Sequence, residues 1–409
     1  MDIKEIAEKI NKKGGRLYLV GGAVRDQLLG KKPSDEDYCV TGLSKDEFLE
    51  LFPNSHLKGK NFAVFDLEGI EFALARRETK TGKGHGEFLI DTKKEISIEE
   101  DLSRRDITIN SIAKEIQSGK IIDPFGGIED LKKKILRATT ERFKEDPLRV
   151  YRIARFSAYM DYKIDERTII LMNSLKNELY NLPKERIYAE LRKALTSQKP
   201  SNFFENLKLA NLLDVHFNEI YSLIESTQRV KSLLEGDAFN HTMVAINKAT
   251  KLTKRAEVIY AVLVHDLGKY ITPKTMISHH NGNYTIGIEL VKKMSKTIGV
   301  PNVWEKCGII SAEVDARAEK IEKMEFGKQV DLIEKLAKSP LGLDGMQIVI
   351  ECARNENDKT FPLVKIGECM LKQINGRTIN LNEIEEKKRY EVLRKERIKW
   401  LKNLQYKDI

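Results

Sequence analysis

Short apolar runs alternate with polar turns over the first 125 residues of the chain. Four of these runs are dominated by β-branched and aromatic residues and are bounded by turn-forming residues, as is typical of β-strands. They lie at 17–20, 38–42, 63–69 and 70–76. This pattern predicts a small mixed sheet in the N-terminal part of the chain.

Two helix starts lie between these apolar runs and just after them. Ser44 is followed three positions later by Glu47, and Ser97 by Glu100. At this spacing the serine hydroxyl and the glutamate carboxylate can each accept a hydrogen bond from a free amide of the first helical turn. We therefore expect helices to begin at these two serines.

From about residue 128 the apolar positions recur every 3.6 residues almost without interruption, as at 146–160 and 186–195. We therefore predict an α+β fold with a small mixed-sheet head and an all-helical remainder. Gly236 and Asp237 interrupt the helical pattern, which favours a domain boundary near residue 235. The expected domains are a head at 1–140, a neck and body at 141–235, a helical domain at 236–330 and a helical tail at 331–409.

Composition narrows the classes of protein. The 409 residues are 41% hydrophobic, enough to bury several cores, and the net charge of +9 suits a polyanionic partner such as nucleic acid. The four cysteines lack the spacing of zinc ligands, which favours reduced thiols and a cytoplasmic location. No apolar run reaches the length of a signal peptide or a membrane span, so we expect no membrane partner.

The stretch YLVGGAVRDQLL at 18–29 places a glycine pair between a predicted strand and a predicted helix. Gly21 and Gly22 would let a backbone turn approach a ligand closely, and the free amides of the helix would face an anion there. No Gly-Lys-Ser/Thr follows, so the stretch is not a Walker loop. It predicts either a purely structural turn or a triphosphate cradle that uses Arg25.

Two aspartates follow the glycine pair. Asp35 and Asp37 are two residues apart on a predicted strand, so their side chains should lie on one face, where two negative charges repel each other. A divalent cation such as Mg²⁺ would neutralise them, and two ions could activate a hydroxyl and stabilise leaving pyrophosphate. Glu71 would supply a third carboxylate if its strand lies beside theirs. The alternative is a solvated acidic turn.

A second polar group recurs every three residues at Asp146, Arg149 and Arg152. On a helix these side chains share one face, as in a routine salt-bridge ladder. A functional hypothesis is that Asp146 and Arg149 read a base. Cytosine and adenine both present an amino donor beside a ring-nitrogen acceptor, whereas guanine and uracil offer the opposite pattern and would be rejected.

These motifs occur in the order of a known family. The resemblance covers about residues 15 to 300. It rests on these segments, in this order: GGAVRDQLLG, DED, EFALARRETKTGKGHGEF, EEDLSRRDITINSIA, IIDPFGGIEDL and EDPLRVYRIARF. At these motifs the chain resembles the polymerase-β-like nucleotidyltransferases, and within them the class II tRNA nucleotidyltransferases, the bacterial CCA-adding enzymes. The resemblance implies Mg²⁺-dependent addition of CCA to the acceptor end of tRNA from CTP and ATP, with a two-ion site.

The resemblance also implies roles for residues. Gly22 and Arg25 would contact the triphosphate, Asp35 and Asp37 would hold the metal, and Glu71 would assist them. The segment TKTGKGHGEF at 79–88 matches the family's flexible loop, and by composition it predicts either a solvent loop or a lid. The remaining assignments are Arg105, Asp106 and Asn110 near the sugar and phosphates, Asp146 and Arg149 at the base edge, and Arg152 and Arg155 in support.

Three histidine-containing segments, FNHT, VHDLGK and SHHNGN, resemble the HD metal-dependent phosphohydrolase domain. Imidazoles with a carboxylate suit Ni²⁺, Mn²⁺ or Zn²⁺. The sequence departs from that pattern, because the expected HHGH is replaced by a segment that ends in Asn281 and Gly282. This argues against hydrolysis and for a helical body that supports the acceptor stem. The candidate ligands of a second, transition metal are His241, His265, Asp266, His279 and His280.

Several functions share these head motifs. Enzymes that add only adenosine or only cytidine, and poly(A) polymerases, have nearly all of them, so they stay open as alternatives. A protein whose main activity is HD-type hydrolysis and a noncatalytic RNA binder are alternatives of other classes. Intact Asp35, Asp37 and Glu71 argue against the noncatalytic one. The sequence leaves open the oligomeric state and the role of the basic helix predicted near the C-terminal end.

Overall fold

The computed structural model forms two compact units. The first is Met1–Pro183 with Leu209–Leu212, and the second is Lys184–Lys208 with Leu213–Ile409. The predicted boundary near residue 235 lies outside the described residues, and the predicted limits near 140 and 330 stay predictions. The described residues are 1–58, 64–80, 88–225, 238–268, 282–318, 320–354, 361–381 and 384–404.

The strands lie in the first unit, and the four predicted strands are confirmed there. The expectation that Asp35 lies on a strand was wrong, because the second strand begins at Asp37 and Asp35 occupies a bend before it. The strands are β1 (Arg16–Val20), β2 (Asp37–Thr41), β3 (His56–Lys58), β4 (Val64–Leu67), β5 (Ile70–Leu74), β6 (Arg77–Lys80), β7 (Phe88–Asp91), β8 (Ala113–Glu115), β9 (Ile121–Ile122), β10 (Ile135–Leu136) and β11 (Lys163–Ile164).

In the described residues, seven of these strands form one mixed sheet in the order β3-β4-β5-β2-β1-β8-β9. β2 and β5 pair in parallel, with Tyr38 opposite Phe72, and the other neighbours pair antiparallel. β6 pairs with β7, and β10 with β11, in separate two-stranded sheets. The parallel β2–β5 pair sets the first residues of both strands side by side at one edge.

The helices account for most of the chain after residue 126, as the 3.6-residue pattern predicts. The predicted α+β fold class is confirmed. The helices are α1 (Ile3–Lys12), α2 (Gly22–Leu28), α3 (Lys45–Leu51), α4 (Ile98–Ser103), α5 (Gly127–Lys133), α6 (Arg149–Met160), α7 (Glu166–Asn173), α8 (Lys176–Leu179), α9 (Lys184–Leu195), α10 (Ser201–Leu209), α11 (Leu213–His216), α12 (Asn218–Glu225), α13 (Ala238–Leu252), α14 (Ala256–Val264), α15 (Gly282–Ile298), α16 (Asn302–Ala318), α17 (Phe326–Ala337), α18 (Gly342–Ala353), α19 (Leu363–Gln373) and α20 (Glu386–Asn403).

Both predicted helix starts are confirmed. In α3 and α4 the serine hydroxyl accepts a hydrogen bond from the amide three residues on, and the glutamate at that position accepts one from the serine amide. Short 3-10 helices at Thr108–Asn110 and Glu141–Glu145 also belong to the first unit. The first of them carries polar side chains of the candidate site.

Aromatic side chains pack the first unit beneath one face of the sheet. Phe48 of α3 stacks on Phe65 with ring centroids 4.4 Å apart, and Phe72 lies 5.5 Å from Tyr38. All four side chains are buried. Because side chains alternate along a strand, burial of Tyr38 and Phe72 on this face leaves Asp37 and Glu71 on the other.

In the second unit α14 is the central helix. It packs against α13, α16 and α18, and its residues from Val258 to Val264 are all buried. A helix that is apolar on every side belongs in an interior. Within the described ranges, no helix combines the length and the apolar character needed to cross a membrane.

The basic helix near the C-terminal end is α20, and it packs on α17. Arg394 binds Asp331 at 2.7 and 2.9 Å, and Arg397 binds Glu334 at 2.7 Å. Leu401 is the residue of this helix that is fully buried. Ion pairs as well as apolar contacts therefore hold α20 in place.

Candidate active site

A glycine turn joins β1 to α2. Gly21 has φ +72° and ψ −131°, a backbone conformation that residues other than glycine rarely adopt. Its amide donates a hydrogen bond to the carbonyl of Ile112 at 3.1 Å. A Cβ atom at this position would lie 2.8 Å from Nη1 of Arg105. The turn therefore needs glycine both for its backbone and for the space that the Arg105 guanidinium occupies.

Arg25 lies one turn into α2 and is only 7% exposed. Its Nε and Nη2 atoms each lie 2.9 Å from Oδ1 of Asp26, and its Nη1 donates to Oδ1 of Asn110 at 2.8 Å. Two predicted nucleotide-binding residues, Arg25 and Asn110, are thus brought into direct contact. Asp26, which the sequence analysis did not single out, fixes the guanidinium from the other side.

Asp106 is a buried carboxylate that accepts from the backbone amide of Ile107 at 2.9 Å and from two side chains. Its Oδ1 accepts from Nδ2 of Asn110 at 3.2 Å, and its Oδ2 accepts from Nε and Nη2 of Arg152 at 2.8 and 2.7 Å. Burial by itself would raise the pKa of Asp106, but the charge and hydrogen bonds of Arg152 and the amide of Asn110 hold it below its usual range. Asp106 is therefore ionised, and its charge is paired with Arg152 and not with its sequence neighbour Arg105.

Arg105 instead binds a second buried carboxylate, Asp101, at 3.2 Å. Asp101 also accepts hydrogen bonds from Arg104 at 3.0 and 2.6 Å and from the amide of Arg76 at 3.3 Å. Burial would raise its pKa, and the charges of Arg104 and Arg105 lower it overall. The sequence analysis missed Asp101, although its spacing of three and four residues before two arginines on a capped helix was a usable signal.

One donor in this group has no partner. Nε of Arg105 is buried and makes no hydrogen bond to any of the residues that the structure describes. An unpaired buried donor costs about 1–3 kcal/mol. An anion bound beside the glycine turn would remove that cost.

Three predicted carboxylates lie at the same edge of the sheet. β2 and β5 run parallel and adjacent, so Asp37 and Glu71 are neighbours, as the sequence analysis expected. Desolvation raises the pKa of Asp37; the charge of Arg105 opposes this shift, and repulsion from Glu71 and Asp35 adds to it. These electrostatic effects place Arg105, Glu71 and Asp35 in the neighbourhood of Asp37.

The three carboxylates do not reach a common ligand distance. Glu71 lies 3.0 Å from Nζ of Lys58, and Asp35 accepts a hydrogen bond from Ser34 at 3.2 Å. Among the described residues, no group of three that includes them brings its ligand atoms within 4.8 Å of one another. The donors are all carboxylate oxygens with like charges, and their repulsion adds to the effect of burial in raising the pKa of Asp37. Such a set fits a hard divalent cation.

The predicted base-reading residues flank the start of α6. The expectation that Asp146 shares a helix face with Arg149 was wrong, because Asp146 has an extended backbone (φ −122°, ψ 104°) before the helix. The following Pro147 disfavours a helical conformation at the residue that precedes it. Instead, the side chain of Asp146 accepts a hydrogen bond from the amide of Leu148 at 3.0 Å. Its backbone carbonyl accepts one from the amide of Arg149, also at 3.0 Å.

Arg149 is buried at the first position of α6. Its Nη1 donates to the carbonyl of Arg142 at 2.7 Å, and its Nη2 donates to that of Arg104 at 2.6 Å. Burial lowers the pKa of Arg149, and the nearby carboxylates of Asp106 and Asp146 oppose that shift. Two backbone carbonyls therefore fix the plane of a guanidinium next to Asp146.

The predicted loop at 79–88 lies mostly outside the described residues, which omit 81–87. Glu78, just before it, binds Arg104 at 3.0 Å and Arg76 at 2.7 Å. The strand that leads into this segment is therefore tied to α4.

The second unit brings together three of the five predicted ligands of a transition metal. His241, His265 and Asp266 are buried, and one ligand atom from each lies within 4.8 Å of the others. Nδ1 of His265 lies 2.7 Å from the carbonyl of Val262, and because a carbonyl only accepts, this nitrogen carries the proton. The other ring nitrogen, Nε2, lies 3.3 Å from Oδ2 of Asp266. His279 and His280 lie outside the described residues.

Two family descriptions match parts of the chain. Residues 17–137 match the Poly A polymerase head domain, and residues 161–223 match the probable RNA and SrmB-binding site of polymerase A. The first match covers the sheet and the carboxylates described above. The second begins just after α6.

Whole proteins and a solved structure are also similar. The Multifunctional CCA protein of Haemophilus ducreyi is 36% identical over 82% of this chain and 84% of its own length. That of Mannheimia succiniciproducens is 39% identical over 78% of each chain. The fold is similar to a CCA-adding enzyme in apo form II, with a TM-score of 0.67 and 21% identity over 100% of this chain and 94% of that one.

The glycine turn generates a prediction. Gly21→Ala should lower thermal stability and weaken binding of inorganic tripolyphosphate, because the backbone is strained and the new Cβ displaces Arg105. We expect a cost of about 1–3 kcal/mol, measured by thermal unfolding and by calorimetric titration. Gly30→Ala is the matched control, since Gly30 has φ +70° but open space around its Cβ position. Equal effects of the two variants would contradict the prediction.

Proposed function

The chain belongs to the family of multifunctional CCA proteins, and we propose that the site in the first unit adds CCA to the 3′ end of tRNA from CTP and ATP, with release of pyrophosphate. The observation that carries this proposal is the place of Arg105. Its guanidinium lies against the glycine turn, and its charge acts on Asp37. A phosphate-binding cation and a metal-binding carboxylate are thus neighbours.

Nucleotidyl transfer in this family uses a divalent metal. We propose Mg²⁺, held by Asp35 and Asp37 in a two-ion site with help from Glu71. When bound, Mg²⁺ would supply a Lewis acid that makes the tRNA 3′-hydroxyl easier to ionise and neutralises charge on the triphosphate. Hard oxygen donors with mutual repulsion support this choice of ion.

The arginines would bind the phosphates. Arg25, fixed by Asp26 and Asn110, and Arg105, with its unpaired buried Nε, would donate to phosphate oxygens as charge moves onto the leaving pyrophosphate. Gly22 would keep the backbone close to them. Asp106 would hold Arg152 and Asn110 near the sugar and phosphates of the nucleotide.

Asp146 and Arg149 would select the base. A carboxylate that accepts the exocyclic amino group and a guanidinium that donates to the ring nitrogen match both cytosine and adenine. The carbonyls of Arg142 and Arg104 keep the Arg149 guanidinium in one plane. Arg152 and Arg155, on the next two turns of α6, would support this pair or the triphosphate.

The partner is the acceptor end of tRNA, and the net charge of +9 favours a polyanion of this kind. All four cysteines are free thiols. Together with a tRNA substrate they support a cytoplasmic location.

The alternatives of A-only addition, C-only addition and poly(A) synthesis use the same head, and the lengths of the products separate them.

A second candidate function rests on the buried cluster in the second unit. His241, His265 and Asp266 would bind one Ni²⁺, Mn²⁺ or Zn²⁺ ion, because imidazole nitrogens and a carboxylate suit these metals. The bond from Nδ1 of His265 to the Val262 carbonyl fixes the tautomer in which Nε2 is a ligand. This proposal concerns metal binding; the departure from the HD pattern at Asn281 and Gly282 argues against hydrolysis.

The first experiment tests the function. The protein is incubated with tRNA that lacks CCA, with Mg²⁺ and with each labelled nucleotide in turn. We expect the tRNA to be extended by three nucleotides, C, C and A. Asp37→Asn should lower the rate of addition at least about a thousandfold, because the substitution removes a proposed metal ligand. Asp46→Asn, an exposed aspartate on α3, is the control. A-only, C-only or long products would favour the alternatives, and no product would overturn the proposal.

The second experiment tests base selection. Asp146→Asn keeps an oxygen for the Leu148 amide but replaces the other oxygen by an amino group. We expect kcat/KM for CTP and ATP to fall about a hundredfold, and the preference over GTP and UTP to shrink, because donors then face donors. Glu141→Gln, an exposed carboxylate paired with Lys144, is the control. A uniform loss with unchanged preference would contradict the assignment.

The third experiment tests the metal of the second unit. Elemental analysis of purified protein should find about one equivalent of Ni, Mn or Zn, and His265→Ala should lose it. His216→Gln is the control, because burial lowers the pKa of this histidine to about 4 without placing it in the cluster. Metal retained in His265→Ala, or lost equally in His216→Gln, would refute the site.

A further inference from the structure

Three arginines meet one aromatic ring in the first unit. The guanidinium carbons of Arg155, Arg25 and Arg152 lie 4.1, 5.7 and 5.9 Å from the centre of the Phe156 ring. Arg152 and Phe156 are one turn apart on α6, whereas Arg25 comes from α2. Phe156 is only 8% exposed. The ring is therefore the common contact of cations from two helices.

An aromatic ring stabilises such a cluster in a way that an aliphatic side chain cannot. The faces of the ring are electron-rich, so guanidinium groups stack on them favourably. Three like charges around one ring also repel one another. Asp26 holds Arg25 and Asp106 holds Arg152, but each carboxylate binds its arginine from the side, and the ring is what the three share.

We infer that Phe156 is a positioning residue that holds Arg25, Arg152 and Arg155 as one array for the polyphosphate of the incoming nucleotide, an inference that rests on the proposed function. A triphosphate carries several negative charges and relieves the repulsion among the arginines. Because CTP and ATP share the triphosphate, the array serves both nucleotides equally. Choice of the base stays with other residues.

A core role predicts a different pattern. If Phe156 only fills space, any side chain of similar volume serves, and its loss lowers stability without a selective effect on phosphate affinity. If the ring positions the arginines, another aromatic side chain preserves phosphate affinity and an aliphatic one does not. A comparison of an aromatic with an aliphatic substitute therefore separates the two roles.

The test compares Phe156→Leu with Phe156→Trp in the full chain. Titration of inorganic tripolyphosphate should give a Kd about tenfold higher for Phe156→Leu and within about twofold of wild type for Phe156→Trp. In Phe156→Leu, KM for CTP and for ATP should rise by the same factor, kcat should change equally for the two nucleotides, and the preference over GTP and UTP should be unchanged. Phe156→Met is the second aliphatic variant if Phe156→Leu does not fold.

The matched control is Phe52→Leu, because Phe52 is a buried ring that packs on Phe48 and has no guanidinium on its face among the described residues. It should change stability and leave the tripolyphosphate Kd unchanged. An unchanged Kd in a folded aliphatic variant, or equal weakening in Phe156→Trp, overturns the inference. Wild-type protein that binds tripolyphosphate but adds no nucleotide overturns the proposed function instead.

Discussion

The arrangement of the first unit depends on the buried carboxylate of Asp106. One of its oxygens binds Asn110, which in turn binds Arg25, and the other binds Arg152. A glycine-turn helix, a 3-10 helix and α6 are thereby joined through a single ionised side chain. Burial of a charge is costly unless it is paired and hydrogen-bonded. Here the pairing is complete enough to keep the pKa low, so the same contacts that stabilise Asp106 also fix two arginines.

A second buried carboxylate, Asp101, does the same for the other side of the site. It binds Arg104 and Arg105, and the backbone carbonyl of Arg104 accepts from Arg149. Four of the cations that would contact phosphate or base, Arg25, Arg105, Arg149 and Arg152, are thus each held by an acid or a carbonyl. At the sheet edge Glu71 binds Lys58 at 3.0 Å, and its charge repels that of Asp37. The cations are thus preorganised, and a metal is proposed to bring the carboxylates together.

Local sequence signals were sufficient for the strands, the capped helices and the glycine turn, because each depends on residues close in sequence. They failed at Asp35, which lies in a bend before β2 and not on the strand, and at Asp146, which precedes Pro147 and lies before α6 and not on it. The adjacency of Asp37 and Glu71 required strand order, which spacing alone does not give. Asp101 had a local signal in its spacing before Arg104 and Arg105. Its contact with the Arg76 amide and that of Phe156 with Arg25 join residues far apart in the chain, and no local pattern reports those contacts.

The two units offer different ligands to metals. At the sheet edge of the first unit the donors are carboxylate oxygens near arginines, a set suited to a hard ion that also binds phosphate. In the second unit two imidazoles and one carboxylate are buried against the apolar helix α14, where a softer transition metal is favoured. The difference in ligand type and burial therefore supports a different proposed ion in each unit, a hard ion among carboxylates and a transition metal among imidazoles.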